Sequence, residues 1–257
     1  MDLNKQQVFV MGDLHGAHKA LLQCLNRSGF DYEKDLLIQL GDVADGYSEV
    51  FECVEELLTI KNLIAIKGNH DDWFNEFINT GFHPVSWNHG GNSTISSYLK
   101  NTGNCSLILS SSRDYKTSLT PADIPSTHRE FFEKQRPYYI LNNRCFLHAG
   151  FDRFLPFEEQ NETEFYWNRD LWWDALDFHN QDADWNNFEL STDFDEIYIG
   201  HTPTLEQGTV KPITIHHITN VDTGVRHGGR LTIMNISTKQ YWQSDPADTL
   251  YSNPDHD

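Results

Sequence analysis

The sequence predicts an α/β fold organised on a buried, mostly parallel sheet, and two observations carry that expectation. Five short apolar runs, Val8-Phe9-Val10-Met11, Leu36-Leu37-Ile38-Gln39-Leu40, Leu63-Ile64-Ala65-Ile66, Arg144-Cys145-Phe146-Leu147 and Glu196-Ile197-Tyr198-Ile199, each stop at a polar, glycine-bearing motif. Between the first three lie stretches with helical periodicity, so the chain opens β-α-β-α-β-α. Strands that are apolar on both faces and alternate with helices belong to a sheet covered on both sides. In such sheets the residues just past the strand ends form the ligand crevice, because side chains converge there while the strands stay rigid.

Taken in order, the first strand covers about residues 7 to 12, and a helix follows in which Ala17, Leu21, Leu22 and Leu25 share one face. Gly29 is its natural stop. The second strand ends at Asp42, and Ser48 is placed to cap a helix whose stripe is Phe51, Val54, Leu57 and Leu58. The third ends at Asn69, with Trp73, Phe74, Phe77 and Ile78 forming a short aromatic helix behind it. Residues 82–143 break the pattern and are expected as an insertion that forms a lid or rim over the strand ends, with helices near Ser93 to Lys100 and Ser126 to Gln135. A second aromatic helix is expected from Phe165 to Trp173. The alternating runs from Ile213 to Ser244 predict an antiparallel meander forming a second sheet, and the acidic tail 245–257 is expected to fray.

The 257 residues suit one large domain, residues 1–257, and an aromatic content of 13% is far above that of a disordered chain. Nineteen basic against thirty-eight acidic residues give a formal charge of -19, the wrong sign for gripping a nucleic-acid duplex. No stretch is long and apolar enough to cross a bilayer, and the first residues lack a secretion-type apolar core, so a cytoplasmic protein without membrane contact, monomeric or weakly oligomeric, is expected. Cys24, Cys53, Cys105 and Cys145 have no CxxC spacing and fit buried free thiols.

The motifs carry the chemistry. Asp13, His15, Asp42, Asn69, His148 and His201 offer mixed oxygen and imidazole donors, suited to manganese, iron or zinc rather than calcium. Counted as ligands, Asp13, His15 and Asp42 hold one ion, while Asp42, Asn69, His148 and His201 hold a second. Two divalent ions, manganese foremost, would leave this site net positive despite the -19 total, because charges beyond about 8 Å are heavily screened at physiological salt. Paired metals lower the pKa of a shared water and clamp an in-line displacement at phosphorus. His70, directly after Asn69, would protonate the leaving oxygen, and Asp45, three residues after Asp42, would orient it.

The ordered set Gly12-Asp13-Leu14-His15-Gly16, Gly41-Asp42-Val43-Ala44-Asp45-Gly46, Gly68-Asn69-His70-Asp71, His148-Ala149-Gly150 and Gly200-His201-Thr202 resembles the phosphoprotein phosphatase branch of the calcineurin-like metallophosphoesterases. Within it the chain is similar to bacterial and phage-lambda-type Ser/Thr protein phosphatases, with the symmetrical diadenosine tetraphosphatases as neighbours. The resemblance spans about residues 8 to 243. It implies a four-layer α/β/β/α sandwich with two mixed sheets, the ligand set above, the His70 and Asp45 acid pair, and two phosphate-gripping arginines. Arg169, in Trp167-Asn168-Arg169, resembles one of them. At the other position the family's Gly-Asp-x-x-Asp-Arg-Gly becomes Gly-Asp-Val-Ala-Asp-Gly-Tyr, so Gly46 stands where an arginine belongs, and Arg153, Arg113 or Tyr47 would have to fill the gap. The function implied is release of inorganic phosphate from phosphoserine or phosphothreonine. Hydrolysis of dinucleoside polyphosphates or other nucleotide esters is the alternative within the same chemistry, and a non-catalytic metal-stabilised binding module is the alternative from another class.

Overall fold

The computed structural model describes residues 6–83, 87, 89–102, 109–111 and 114–251. The chain opens with β1 (Val8–Met11), α1 (His18–Ser28), β2 (Leu36–Gln39), α2 (Val50–Leu58), β3 (Asn62–Ala65) and α3 (Asn69–Thr80). There follow α4 (Gly91–Thr102), the hairpin β4 (Leu109–Ser111) and β5 (Asp114–Lys116), α5 (Ser126–Glu133), β6 (Tyr138–Leu141) and β7 (Arg144–Leu147). Then come α6 (Glu164–Trp167), α7 (Asp170–Asn180), β8 (Glu196–Ile199), β9 (Ile213–Ile215), β10 (Ile218–Asn220), β11 (Thr232–Asn235), β12 (Tyr241–Gln243) and α8 (Ala247–Leu250).

Two mixed five-stranded sheets form, in the orders β12-β11-β1-β2-β3 and β6-β7-β8-β10-β9. The pairs β1/β2, β2/β3, β7/β8 and β8/β10 are parallel, as buried strands linked by long crossovers must be, and the outer pairs are antiparallel. The alternation of side chains along each strand sorts the core into three layers. Phe9 and Met11 face the helices with Leu21, Val54 and Phe74, whereas Val10 faces inward with Ile38, Phe146, Tyr198 and Met234. On the other sheet Cys145, Leu147, Ile197 and Ile199 turn outward onto Leu171, Trp172 and Ala175. This is the α/β/β/α sandwich, and Phe146 stacked on Tyr198 (centroids 4.9 Å, planes 6° apart) lies between its sheets.

Four expectations need correction. The alternating region 213–244 does not make one meander: β9 and β10 extend the second sheet, while β11 and β12 cross to the first, where β11 pairs antiparallel with β1. Alternation reports a half-buried strand but not its neighbour. The aromatic helix is broken into α6 and α7, because Asn168 turns out of the helix and its Oδ1 accepts from Asp170 N and Leu171 N. The tail is docked as far as residue 251: Asp245 pairs with Arg27, and Tyr251 stacks on Tyr47 (4.2 Å) while its hydroxyl accepts from Lys19 N. Residues beyond 251 and Arg113 and Cys105 lie outside the described residues. Helix α2 starts without the Ser48 cap, after Glu49.

The described part of the insertion extends the outer helical layer, burying Trp87, Ile95, Tyr98, Phe131 and Phe132 in the core shared with α1, α2 and α3. Among the described residues no helix is long and apolar enough to cross a membrane.

Replacing Phe146 by alanine removes a fully buried ring between the two sheets and should cost about 3–5 kcal/mol of stability in denaturant unfolding. A loss below about 1 kcal/mol would mean that the sheets are not held together through this layer.

Candidate active site

Three loops after parallel strands meet at one residue. The Asp42 carbonyl accepts from Leu14 N (3.1 Å) and His15 N (2.7 Å), which ties the loop after β1 to the loop after β2. The Asp42 carboxylate accepts from His70 N (3.0 Å) through Oδ1, which ties in the start of α3. From the second sheet, His201 N lies 3.2 Å from both carboxylate oxygens of Asp13. The turns are sharp enough that His15, Asp42, Asp45 and His201 all have left-handed backbone (φ 48°, 53°, 68° and 65°). Asp and His tolerate that region better than most residues, yet each such position costs on the order of 1–3 kcal/mol, a strain typical of functional sites. Gly200 allows the two sheets to close here: a Cβ on it would land on Asp13 Oδ1.

The six residues expected as ligands are all nearly buried, and five of them converge into two donor groups that share Asp42: Asp13, His15 and Asp42, and Asp42, His148 and His201, with Asn69 Oδ1 beside the second. His148 Nδ1 donates to Leu40 O (2.7 Å), which points Nε2 at His201 Nδ1 (3.1 Å), Asn69 Oδ1 (3.2 Å) and Asp42 Oδ2 (3.4 Å). His15 Nδ1 donates to Ala44 O (3.2 Å), which aims Nε2 at Asp42 Oδ2 (3.5 Å) and Asp13 Oδ2 (3.9 Å). In each case the distal nitrogen is fixed by a carbonyl, as in metal-binding imidazoles generally. His201 Nε2 is buried and has no hydrogen-bond partner among the described residues. Lone pairs facing one another in a buried pocket fit divalent cations.

The electrostatics agree. Burial, reinforced by Asp222 beside it, pushes the Asp13 carboxyl well above the usual range. Burial also acts on Asp42, but His148 beside it, which the Asp42 and Asp13 carboxylates push up to about 10 against its own burial, outweighs it and holds the Asp42 carboxyl well below its usual value. Burial lowers His201, with His148 and Arg169 adding to the effect, and it lowers His15 as well, so both imidazoles stay neutral and available as donors. Burial raises Asp222 to about 6.

His70 stands beside these groups. Its Nδ1 donates to Asp45 Oδ2 (2.6 Å), and the other carboxylate oxygen of Asp45 accepts from Trp87 Nε1 (2.9 Å) and Thr94 Oγ1 (2.7 Å). Asp45 therefore orients the imidazole and does not cap α2. Arg169 sits exposed at the break between α6 and α7 and lines the same cavity, of about 120 Å³, as Asp13, His15, Asp42 and His70. Trp73 packs edge-on against His70 (4.8 Å) and against Trp167 (5.4 Å), giving the site one aromatic wall.

Of the residues considered for the gap at Gly46, Arg153 is held by Asp174 (2.7 Å) and Glu189 O (2.8 Å) and lines a different cavity. Tyr47 is buried with its hydroxyl on Val225 O (3.0 Å). Sequence reasoning missed Trp87, Thr94, Asp222 and Arg226. Trp87 and Thr94 come from the insertion, which has no regular spacing to the motifs. Arg226 carried one signal: a cation bracketed by Gly224 and Gly228 just past a strand, in a strongly acidic chain.

The family model described as Calcineurin-like phosphoesterase matches residues 7–205. The chain is 25% identical over 239 residues to Serine/threonine-protein phosphatase 1 of Salmonella typhimurium, covering 91% of this chain and 93% of that protein. It is 23% identical over 253 residues to the asymmetrical bis(5'-nucleosyl)-tetraphosphatase PrpE of Oceanobacillus iheyensis, covering 91% and 90%. A solved structure assigned provisionally as a diadenosine tetraphosphatase superposes with a TM-score of 0.62 at 15% identity, covering 95% of both chains, a likeness that speaks for the fold.

Replacing Gly200 by alanine should weaken divalent-metal binding by about 10- to 100-fold, the usual effect of disturbing the support of a ligand, as read by calorimetric titration of the metal-stripped protein with manganese as the probe. Unchanged affinity would mean that Asp13 does not need its present position.

Proposed function

Because the chain belongs to the calcineurin-like phosphoesterase family, we propose that it is a dinuclear metal-dependent phosphatase that releases inorganic phosphate from phosphoserine and phosphothreonine. The observation that carries this reading is the imidazole of His70, oriented by Asp45 and placed beside two donor groups that share a carboxylate. A pure binding scaffold has no use for an acid held in this way. The full-length likeness to a Ser/Thr protein phosphatase supports the choice of substrate.

Asp13, His15 and Asp42 would hold one ion, and Asp42, Asn69, His148 and His201 the other. When bound, a pair of divalent ions, manganese foremost with iron or zinc also suited, supplies a low-pKa water and Lewis-acid polarisation of the phosphoryl group. The protein's own groups do the rest. Arg169 draws the phosphoryl oxygens into the cavity, with a planar fork that suits two oxygens at once. Asp45 fixes the ring of His70 so that Nε2 faces the cavity, where it carries a proton to the leaving oxygen. Trp87 and Thr94 hold Asp45 in turn. Asn69, on the first turn of α3, and His70 move together as one rigid unit, so the acid keeps its distance from the reacting phosphorus. The buried thiols of Cys24, Cys53 and Cys145 are free, which suits work in the reducing cytoplasm.

A second reading in the same chemistry is hydrolysis of dinucleoside polyphosphates. The wall formed by Trp73 and Trp167 favours it, since a base can stack there beside the phosphates, and so does the likeness to the asymmetrical tetraphosphatase.

The metal-stripped protein reloaded with manganese should release inorganic phosphate from a phosphopeptide. Diadenosine tetraphosphate cleaved while the peptide is untouched would give the site to nucleotides, and inertness toward both would remove the protein phosphatase reading. His70→Asn should retain its metal stoichiometry and lose about 10²- to 10⁴-fold in turnover of the phosphopeptide. Full turnover in that variant would take the acid role away from His70.

A further inference from the structure

The family's phosphate arginine is missing at Gly46, and the backbone there leaves no room for one. Gly46 has φ 88°, and a Cβ on it would lie 2.8 Å from His15 Cβ and 2.9 Å from His15 O. A cation that reaches the phosphoryl group from this side must come from another segment. Arg226 does so. Its Nη1 donates to His70 Nε2 (2.8 Å), the atom that faces the cavity, and its Nη2 donates to His89 O. The guanidinium is half-buried and lines the cavity together with Arg169, Asp13, His15 and Asp42.

The segment that carries it is held in place from several directions. Left-handed Gly224 and Gly228 bracket the single turn Val225–His227, and Gly224 N donates to Asp222 Oδ1 (2.9 Å). The Tyr47 hydroxyl, next to Gly46, donates to Val225 O (3.0 Å), so the loop that lacks the arginine is bonded to the segment that has one. On the far side Gly90 makes room: a Cβ there would come within 2.9 Å of Arg226 Nη2. A half-buried slot, open to the cavity and flanked by glycines, delivers a planar five-donor fork beside the metal donors.

We propose that Arg226 supplies the second guanidinium that grips the phosphoryl group, in place of the arginine absent at Gly46. This rests on the phosphoesterase reading of the site. Substrate oxygens take over the Nη1 donor that His70 Nε2 now accepts, which frees that nitrogen to take up a proton from water and pass it to the leaving oxygen. Binding of the phosphoryl group and uncovering of the His70 nitrogen are thereby one movement of one side chain.

The probe is inorganic phosphate, titrated calorimetrically into the manganese-loaded full-length protein. Arg226→Ala should weaken phosphate binding by about 10- to 100-fold, the usual worth of a charge-assisted contact, with metal stoichiometry and thermal midpoint unchanged. Arg226→Lys, which keeps the charge but loses the fork, should recover part of the loss, and Arg153→Ala should bind as the unaltered protein does. With a phosphopeptide, KM should rise more than kcat falls. Unchanged phosphate affinity in Arg226→Ala overturns the proposal, as does a pure kcat loss, which would mark Arg226 as a residue that only holds His70. An unaltered protein that hydrolyses no phosphoester, yet binds phosphate through Arg226, would remove the enzymatic reading and leave the anion grip standing.

Discussion

Everything at the site depends on one residue that is held by its backbone and its side chain at once. The Asp42 carbonyl takes two amide protons from the loop after β1, and its carboxylate takes one from the start of α3. Three loops that a parallel sheet would otherwise present independently become a single rigid surface. The second sheet joins through His201 N on Asp13, so both carboxylates are fixed by backbone donors from segments distant in sequence. This dense set of backbone hydrogen bonds helps to sustain four left-handed non-glycine residues, His15, Asp42, Asp45 and His201, in and beside one cavity.

The same arrangement resolves the conflict between a chain of charge -19 and an anionic substrate. Within the cavity, Asp13, Asp42 and Asp222 accept from backbone amides, and Arg169 and Arg226 stand at its lining. At surface distances the excess acidic residues are screened within about 8 Å, so the substrate experiences the local set of charges.

What was legible in the sequence is what short-range chemistry dictates. The apolar runs that end in Asp-x-His, Gly-Asp, Gly-Asn-His, His-Ala-Gly and Gly-His fixed both the strands and their crevice, because a strand's end and its ligand residue are neighbours in the chain. The pairing of strands from opposite ends of the chain was not legible. Residues 213–244 alternate equally well whether they join one sheet or two, and nothing local tells β11 that its partner is β1. The support of Asp45 by Trp87 and Thr94 was hidden for the same reason. Arg226 was visible only as a cation between glycines, and its role depends on a void at Gly46 that requires coordinates to see. The break at Asn168, which brings Arg169 out of an otherwise continuous aromatic helix, depends on a side-chain oxygen competing for backbone amides, a competition that helix propensity alone does not decide.

The pairing of β1 with β11 bears on how the molecule is made. Val10, in the centre of the first sheet, is flanked by a strand from its own neighbourhood and by Met234 from near the other end of the chain. The entropy of closing so long a loop rises only slowly with its length, by about 0.6 kcal/mol per doubling, so equilibrium stability hardly registers the distance. The rate of folding does, since non-local pairings are slow to form. During synthesis the first three βα units emerge with one edge of β1 open, and that edge stays unpaired until β11 has left the ribosome. The nascent protein is therefore exposed to strand-on-strand association until β11 arrives, and the cavity, whose Arg226 lies just before β11, is completed at about the same moment.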